Sequence, residues 1–461
     1  MVSEMVRQNT KKEGIGLTGM SSFYILIALL IIPAIVTFSY TKDIGNPGVV
    51  LSLSFLFASF SATVGYGRWH NNTLSPLTIL VLCVGVYTFC IISIIISLSL
   101  HRTQTNHQED AHVLWALNPT ISLWKLAIVT VFILLISFIY LKQLISLMNS
   151  MGYTGYSVAE KLNAYRGTVL LTNDEGNTGG ISLIVQQLRN IIDVLVPLLF
   201  FEFFRERLFL GKTNIAVLLA LLAGLTSSFL STGRALLLSY LLGGIIIYFY
   251  LARVKKKKFD TRVIVKVISC GAFLLCLLFI LNSVLARNVN LGFVDYISFY
   301  FGSSITNLNT FLSGPITWPG QTLNGLAKIA HTLGFANTYS EIPNVWVHYR
   351  GGISSNVYTG VQRYYADAGL LGVLLGMSIF SIVITIFYFK ARDEGQPLWC
   401  VFYAMCFSTL IDQSRSESFF TYFLRISLPL TIICLILLFR FINQHAPTRY
   451  LTAADPRYKL N

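Results

Sequence analysis

From Pro76 to Leu100 the chain reads PLTILVLCVGVYTFCIISIIISLSL, without a single Asp, Glu, Lys or Arg. A helix needs about 20 such residues to cross the roughly 30 Å hydrocarbon core of a bilayer. Lipid offers no hydrogen bonds to the backbone, so a run of this kind must close its own as a helix. Comparable runs flank it on both sides. Spans are expected at roughly 22–40, 48–65, 76–100, 119–140, 181–204, 213–230, 235–252, 262–282, 366–389, 397–412 and 418–441. The expected fold class is all-α: a polytopic transmembrane helical protein with about eleven spans (ten to twelve), forming one membrane domain over residues 1–461.

Composition points the same way. Of the 461 residues 54% are hydrophobic and 12% charged, with a mean hydropathy of +0.65. A soluble domain carries roughly 25% charged residues, so this chain is built for solvation by lipid. A net charge of +14 in a soluble protein would point to nucleic acid. Here the basic residues lie mostly between apolar segments, where they set topology, and no nucleic-acid partner is expected. The second use for them is binding an anionic ligand. Cys83, Cys90, Cys270, Cys276, Cys400, Cys406 and Cys434 all fall inside apolar segments. Buried free cysteines act as small hydrophobes, and no disulfide or metal spacing is present. No cleavable signal is evident before the first span.

Lys and Arg favour the cytoplasmic side. Arg253-Val-Lys255-Lys256-Lys257-Lys258 is the strongest cluster. Arg205 to Lys212, Lys390, Arg392 and the polar tail 444–461 agree with it. This orientation puts two long loops outside, 141–180 and the larger 283–365. It also puts the N-terminus outside, against the charges of Arg7, Lys11 and Lys12.

The second loop is rich in aromatic residues, among them Trp318, Tyr339, Trp346, Tyr349, Tyr358, Tyr364 and Tyr365. They would form either an interfacial belt or a platform for sugar rings. Ionisable residues inside spans are costly and usually face an internal cavity. Arg189 and Asp193 lie in the fifth expected span, with Gln186 on the same face, and Arg425 lies in the eleventh. Both arginines would sit about 10 Å below the outer surface. Arg189 would either pair with Asp193 or bind a ligand. Arg166, Arg234, Arg287 and Arg415 fall at outer ends or in outer loops. They would serve as snorkelling anchors or as bidentate phosphate ligands. Arg363 and Asp367 stand one helical turn apart and would pair, or Asp367 would charge a helix N-terminus.

P-loop, HExxH, GxSxG and Asp-x-Asp patterns are absent from the sequence. Gly14-Ile-Gly16-Leu-Thr-Gly19 precedes a membrane span and follows no strand, so it is not a dinucleotide fingerprint. The acidic pairs Glu109-Asp110 and Asp174-Glu175 are weak metal signals. No metal and no cofactor are expected.

Asn356-Val-Tyr358-Thr359 is followed by Tyr364-Tyr365-Ala-Asp367-Ala-Gly369-Leu-Leu-Gly372. Together they resemble the pattern of bacterial O-antigen and oligosaccharide repeat-unit polymerases, the Wzy-type family. Ser231-Thr-Gly-Arg234 resembles the Gly-x-Arg turn of that family, with Gly and Arg adjacent here. Arg415 and Ser418 resemble its penultimate Arg-Glu-x-x-Ser element, one residue shorter. Ala368 replaces the usual Phe, and Asn177 stands where a first-loop glycine would fall.

The resemblance implies a metal-independent glycosyltransferase. It would join oligosaccharide repeat units carried on undecaprenyl pyrophosphate, as donor and acceptor, into O-antigen or a related surface polysaccharide. The site would face the periplasm or exterior of the bacterial cytoplasmic (inner) membrane. Partners would be membrane lipid, a chain-length regulator and a flippase. Catalytic candidates are Arg234, Arg415 and Arg425, with His348 and Asp367 as possible bases. Substrate-binding candidates are Arg166, Arg189, Arg287, Arg350, Asn356, Tyr358, Thr359, Arg363 and Tyr364. The alternatives are an O-antigen ligase, which transfers to a lipid A core, and a non-enzymatic polysaccharide flippase or transporter. A flippase is disfavoured by the long second loop and by in-span arginines gathered near one face.

Overall fold

The apolar runs form helices in the structure, a computed structural model that describes residues 16–101, 121–165, 167, 181–230, 234–256, 261–284, 291–314, 321–336, 345–392 and 397–443. The first helices are α1 Gly16–Thr41, α2 Pro47–Gly65, α3 Pro76–His101, α4 Leu123–Ser150 and α5 Val158–Tyr165. They are followed by α6 Leu183–Arg205, α7 Ile215–Phe229, α8 Arg234–Lys256, α9 Thr261–Val284, α10 Phe293–Ser313 and α11 Asn324–Thr332. Strands β1 Val347–His348 and β2 Ser354–Ser355 pair antiparallel, Val347 opposite Ser355. The chain continues as α12 Val361–Arg392, α13 Pro397–Cys406, α14 Ser408–Asp412, α15 Phe419–Phe423 and α16 Leu428–Asn443.

Among the described residues seven helices are long and apolar enough to cross a membrane: Gly19–Thr41, Pro47–Gly65, Pro76–Leu100, Leu123–Ser150, Ile184–Leu210, Ala235–Val254 and Val361–Arg392. Ile215–Phe229, Ser269–Leu281, Pro397–Asp412 and Leu428–Ile442 are apolar but shorter. The chain is an all-α, multi-pass membrane protein. Large apolar side chains stay uncovered along these helices, such as Ile25, Ile35, Phe60, Val131 and Phe138, each more than half exposed. A water-soluble protein rarely leaves such faces bare; lipid covers them here.

Two groups of helices pack together. In one, α12 lies along α3, and α1, α2 and α10 surround them; in the other, α6, α7, α8 and α4 are neighbours, with α9 beside α8 and α16 beside α6. Helix α13 touches α12, α8 and α6 and so joins the groups, and one core runs through both.

Asp43, in the turn between α1 and α2, accepts hydrogen bonds from Arg253 and Arg392 at 2.8 Å each, and from the Tyr388 hydroxyl. The C-terminal ends of α8 and α12 therefore meet the α1–α2 turn at one basic end of the bundle. Gly19 lies at the other end, against Tyr66, and Ser22 Oγ accepts from Leu74 N at 3.0 Å. Helix α1 thus starts at the end opposite the basic cluster.

The expected layout needs three corrections. The stretch 283–365 is not a plain loop, because α10 lies within it. Helix α10 escapes a hydropathy search because its buried face carries Ser298, Ser303, Ser304, Thr306, Asn307 and Asn309. Hydrogen bonds from these polar residues hold it inside together with the core side chains Ile305, Leu308, Phe311 and Leu312. The expected span 418–441 is broken: α15 ends at Phe423, and α16 starts at Leu428 with Pro429 in its first turn, where a missing N–H is tolerated. Arg425 lies in that break rather than on a helix. The first loop also starts later than expected, since α4 runs on to Ser150.

Candidate functional site: the arginine-rich end of the bundle

Helix α10 organises the end opposite the basic cluster. At Gly302 it touches the α2 backbone, where a Cβ would collide with Ala62. This contact sinks its polar face between three connecting segments. Asn309 accepts from Ser75 N and Thr78 Oγ1, both at 2.8 Å, and donates to the Thr73 carbonyl at 3.0 Å. Asn307 Nδ2 donates to the Val357 carbonyl at 2.7 Å, and the Tyr349 hydroxyl donates to Asn307 Oδ1. Ser304 Oγ donates to the Ser414 carbonyl at 2.7 Å. The polar residues that hid this helix from a hydropathy search are the ones that hold the site's loops.

Arg415 follows directly from that last bond. Its guanidinium stacks 3.9 Å from the Tyr300 ring centre and 5.3 Å from that of Phe301. It also lies 3.4 Å from Asp412, one helical turn back. Arg363 reaches the same segment, 3.8 Å from Glu417 and 3.3 Å from Thr421 Oγ1. Glu417 caps α15: its oxygens accept from Phe420 N at 2.7 Å and Thr421 N at 3.1 Å. The buried Tyr364 hydroxyl donates to Glu417 at 3.2 Å.

Deeper in the bundle, Asp193 on α6 accepts a hydrogen bond from the Tyr240 hydroxyl on α8. Arg189 and Arg425 both act electrostatically on this carboxylate. Of the two readings for Arg189, the ion pair with Asp193 is not formed; Arg189 stacks on Tyr140 at 4.4 Å. Arg425 stacks on Tyr422 at 4.3 Å and donates to Thr431 Oγ1 at 3.3 Å. Among the described residues neither guanidinium has a carboxylate within ion-pairing distance. The Nε atoms of Arg415 and Arg425 are buried without a hydrogen-bond partner among the described residues. Two cations to one carboxylate leave this region positive.

The loop candidates divide. His348 is exposed on β1, and its Nδ1 bonds to Ser354 Oγ at 2.7 Å. Arg350 is exposed beside a turn through Gly351 and Gly352, whose φ values of 76° and 74° suit glycine. Asn356 is half-buried. The Tyr358 hydroxyl donates to the Val345 carbonyl at 3.4 Å. Thr359 is buried. Asp367 does not pair with Arg363 across a helical turn: its two oxygens accept from Gln321 N at 2.7 Å and Thr322 N at 2.8 Å. It clamps the turn before α11. Arg234 is the first residue of α8. Arg166 and Arg287 lie outside the described residues, as do Trp318 and Tyr339.

The stretch Tyr364 to Gly372 also has a purely steric use. Ala368 and Gly369 interrupt α12, and Gly369 has φ 58°. The chain folds back there, so that a Cβ at Gly372 would collide with the Tyr364 carbonyl, and one at Gly376 would sit 2.7 Å from the Tyr364 ring. Sequence reasoning missed Tyr300, Tyr240 and Glu417. Only Glu417 left a signal, a helix-capping Ser-Glu-Ser ahead of an apolar run.

Among the described residues no group of three or more His, Cys, Asp or Glu could hold a metal ion. Compared with known proteins, the chain matches no family model, no curated protein and no solved structure.

Proposed function

We propose that this protein is a glycosyltransferase that polymerises undecaprenyl-pyrophosphate-linked oligosaccharide repeat units at the outer face of the bacterial cytoplasmic membrane, crossing that membrane about eleven times. One observation carries the proposal. Four arginines lie on or beside the segment 412–431 at the end opposite the basic cluster: Arg415 beside Asp412, Arg363 beside Glu417, and Arg425 and Arg189 around Asp193. Arginines at that end run against the positive-inside trend. A structural role at the interface does not require the stacking of Arg189, Arg415 and Arg425 on aromatic rings.

The chemistry suits such a site. The acceptor hydroxyl oxygen bonds to the anomeric carbon of the donor sugar. The bond from that carbon to the phosphate oxygen breaks, and undecaprenyl pyrophosphate leaves with the electron pair. Its developing negative charge is stabilised by pre-positioned guanidinium groups in a low-dielectric site. The hydroxyl proton passes to a base. His348 fits that role better than Asp367, because both Asp367 oxygens already hold backbone N–H groups. The half-exposed rings of Trp346 and Tyr358 offer faces for sugar stacking.

Deletion of the gene tests the proposal. Single repeat units on the surface lipid are the expected phenotype. Unchanged long-chain glycan would overturn it. Polymer stranded on undecaprenyl pyrophosphate would assign the protein to ligation instead. Arg425→Ala and Arg415→Ala should each abolish polymer while the protein still inserts.

A further inference from the structure

Arg189 and Asp193 stand four residues apart on α6, the spacing at which an arginine and a carboxylate ordinarily pair along a helix. They do not pair. Arg189 lies on the Tyr140 ring of α4, and Asp193 Oδ1 accepts from the Tyr240 hydroxyl of the neighbouring helix α8. Arg425 acts on the same carboxylate from the break before α16, yet its guanidinium lies on Tyr422 and donates to Thr431. Among the described residues the one hydrogen-bond donor to Asp193 is the neutral Tyr240 hydroxyl rather than either cation.

Packing sets the height of Tyr240. One turn further along α8, two glycines let the helix approach its neighbours closely. A Cβ at Gly243 would lie 3.0 Å from the Ala404 carbonyl on α13, and one at Gly244 would lie 2.8 Å from the Phe200 ring on α6. Phe200 stands two turns beyond Asp193, as Gly244 stands one turn beyond Tyr240. Tyr240 is 6% exposed and has little room to turn from the carboxylate.

A neutral donor and a cation have different consequences at this carboxylate. A guanidinium paired with Asp193 would have to be released before it could bind an incoming phosphate. A carboxylate satisfied by a phenol leaves the guanidinium donors uncommitted to it, while its charge still offsets the repulsion between the two cations.

We propose that Tyr240 is a positioning residue: it holds Asp193 away from Arg189 and Arg425, so that both arginines stay available to the diphosphate of a lipid-linked substrate. This inference rests on the proposed reading of those arginines as ligands of the leaving group. Tyr240 touches no reacting atom in this scheme and acts through Asp193.

Titration calorimetry of the purified full chain with inorganic pyrophosphate tests this. Tyr240→Phe keeps the ring and removes the donor, so that Asp193 pairs with an arginine. Binding should weaken by about 10- to 100-fold, the effect of one hydrogen bond to a charged group. Adding Asp193→Asn to Tyr240→Phe removes the competing charge and should restore binding to the parent level or above. A tyrosine that only packs α8 on α6 would give no such rescue. Asp193→Asn alone should bind at least as tightly as the parent, and weaker binding there would overturn the inference without the tyrosine variant. Unchanged binding in Tyr240→Phe, or a double variant as weak as the single one, would overturn it too. Arg425→Ala separates this inference from the reading beneath it. Binding lost in Arg425→Ala but kept in Tyr240→Phe removes the positioning role alone. Binding kept in Arg425→Ala, or absent from the parent protein, removes both.

Discussion

The guanidinium carbon of Arg415 lies 3.9 Å from the ring centre of Tyr300. A residue of the penultimate connection thus rests on a helix that begins more than 100 positions earlier in the chain. A cation over an aromatic face gains about 0.5–2 kcal/mol. Tyr300→Phe keeps that face and should leave polymer length unchanged. Tyr300→Leu removes it and should shorten or abolish polymer. Arg415→Lys should also fail, because an ammonium neither stacks nor binds phosphate bidentately. Glycan gels of the complemented deletion strain read all three variants.

Gly372 and Gly376 make room for Tyr364 where α12 folds back. Gly376→Ala should destabilise the protein by about 1–3 kcal/mol, the usual cost of overpacking. Gly369→Ala should cost about 1 kcal/mol for a side chain at positive φ. Thermal unfolding in detergent measures both. If Gly376→Ala leaves the melting temperature unchanged while polymer is lost, the glycine serves the substrate rather than the fold.

Asp43 holds α1, α8 and α12 together at the basic end. Burial works against its charged form, but Arg253, the Tyr388 hydroxyl and Arg392 outweigh burial and hold its pKa below the usual carboxylate range. A lowered carboxylate pKa stabilises the fold above the unfolded value of about 4, and that stability is lost as pH falls through the folded value. Asp43→Asn should cost about 3–5 kcal/mol at neutral pH, the cost of breaking a buried pair. The gap between variant and parent should close below about pH 4. Melting curves across that range provide the check.

His70 acts in a different window. It is buried between α2 and α3, among the rings of Phe23, Tyr66 and Trp69, with Nε2 2.7 Å from the Ala62 carbonyl. Burial pushes its pKa down to about 4, although the bond to Ala62 works the other way. Between there and about 6.5 the unfolded chain binds the proton and the folded one does not. Stability is therefore full above about pH 6.5 and declines towards pH 4, by on the order of 3 kcal/mol. His70→Gln should flatten that slope in pH-dependent unfolding.

Asp367 holds two backbone N–H groups at the turn before α11. Asp367→Asn keeps one good acceptor and should retain polymer with an unchanged pH profile. His348→Ala should remove polymer and leave the stability within about 0.5 kcal/mol of the parent, as an exposed side chain does. Loss of activity in Asp367→Asn with full stability would return the base to Asp367.

Sequence alone was enough to see a helical membrane protein, because apolarity over 20 or so residues is local and lipid permits little besides a helix. The stretch Pro76 to Leu100 became α3 without help from any other part of the chain. Arg189 and Arg425 were also legible as charges within apolar segments. Their arrangement was not. Asp43 and Arg392 stand 349 residues apart, and Arg189 and Arg425 act on the same carboxylate, Asp193, only because α6 packs beside α16. Helix α10 shows the limit most clearly. Its serines and asparagines read as loop, since a polar side chain signals exposure until its partner is known. Ser414, Val357 and Thr73 are those partners, and only the packed bundle brings them within hydrogen-bonding distance.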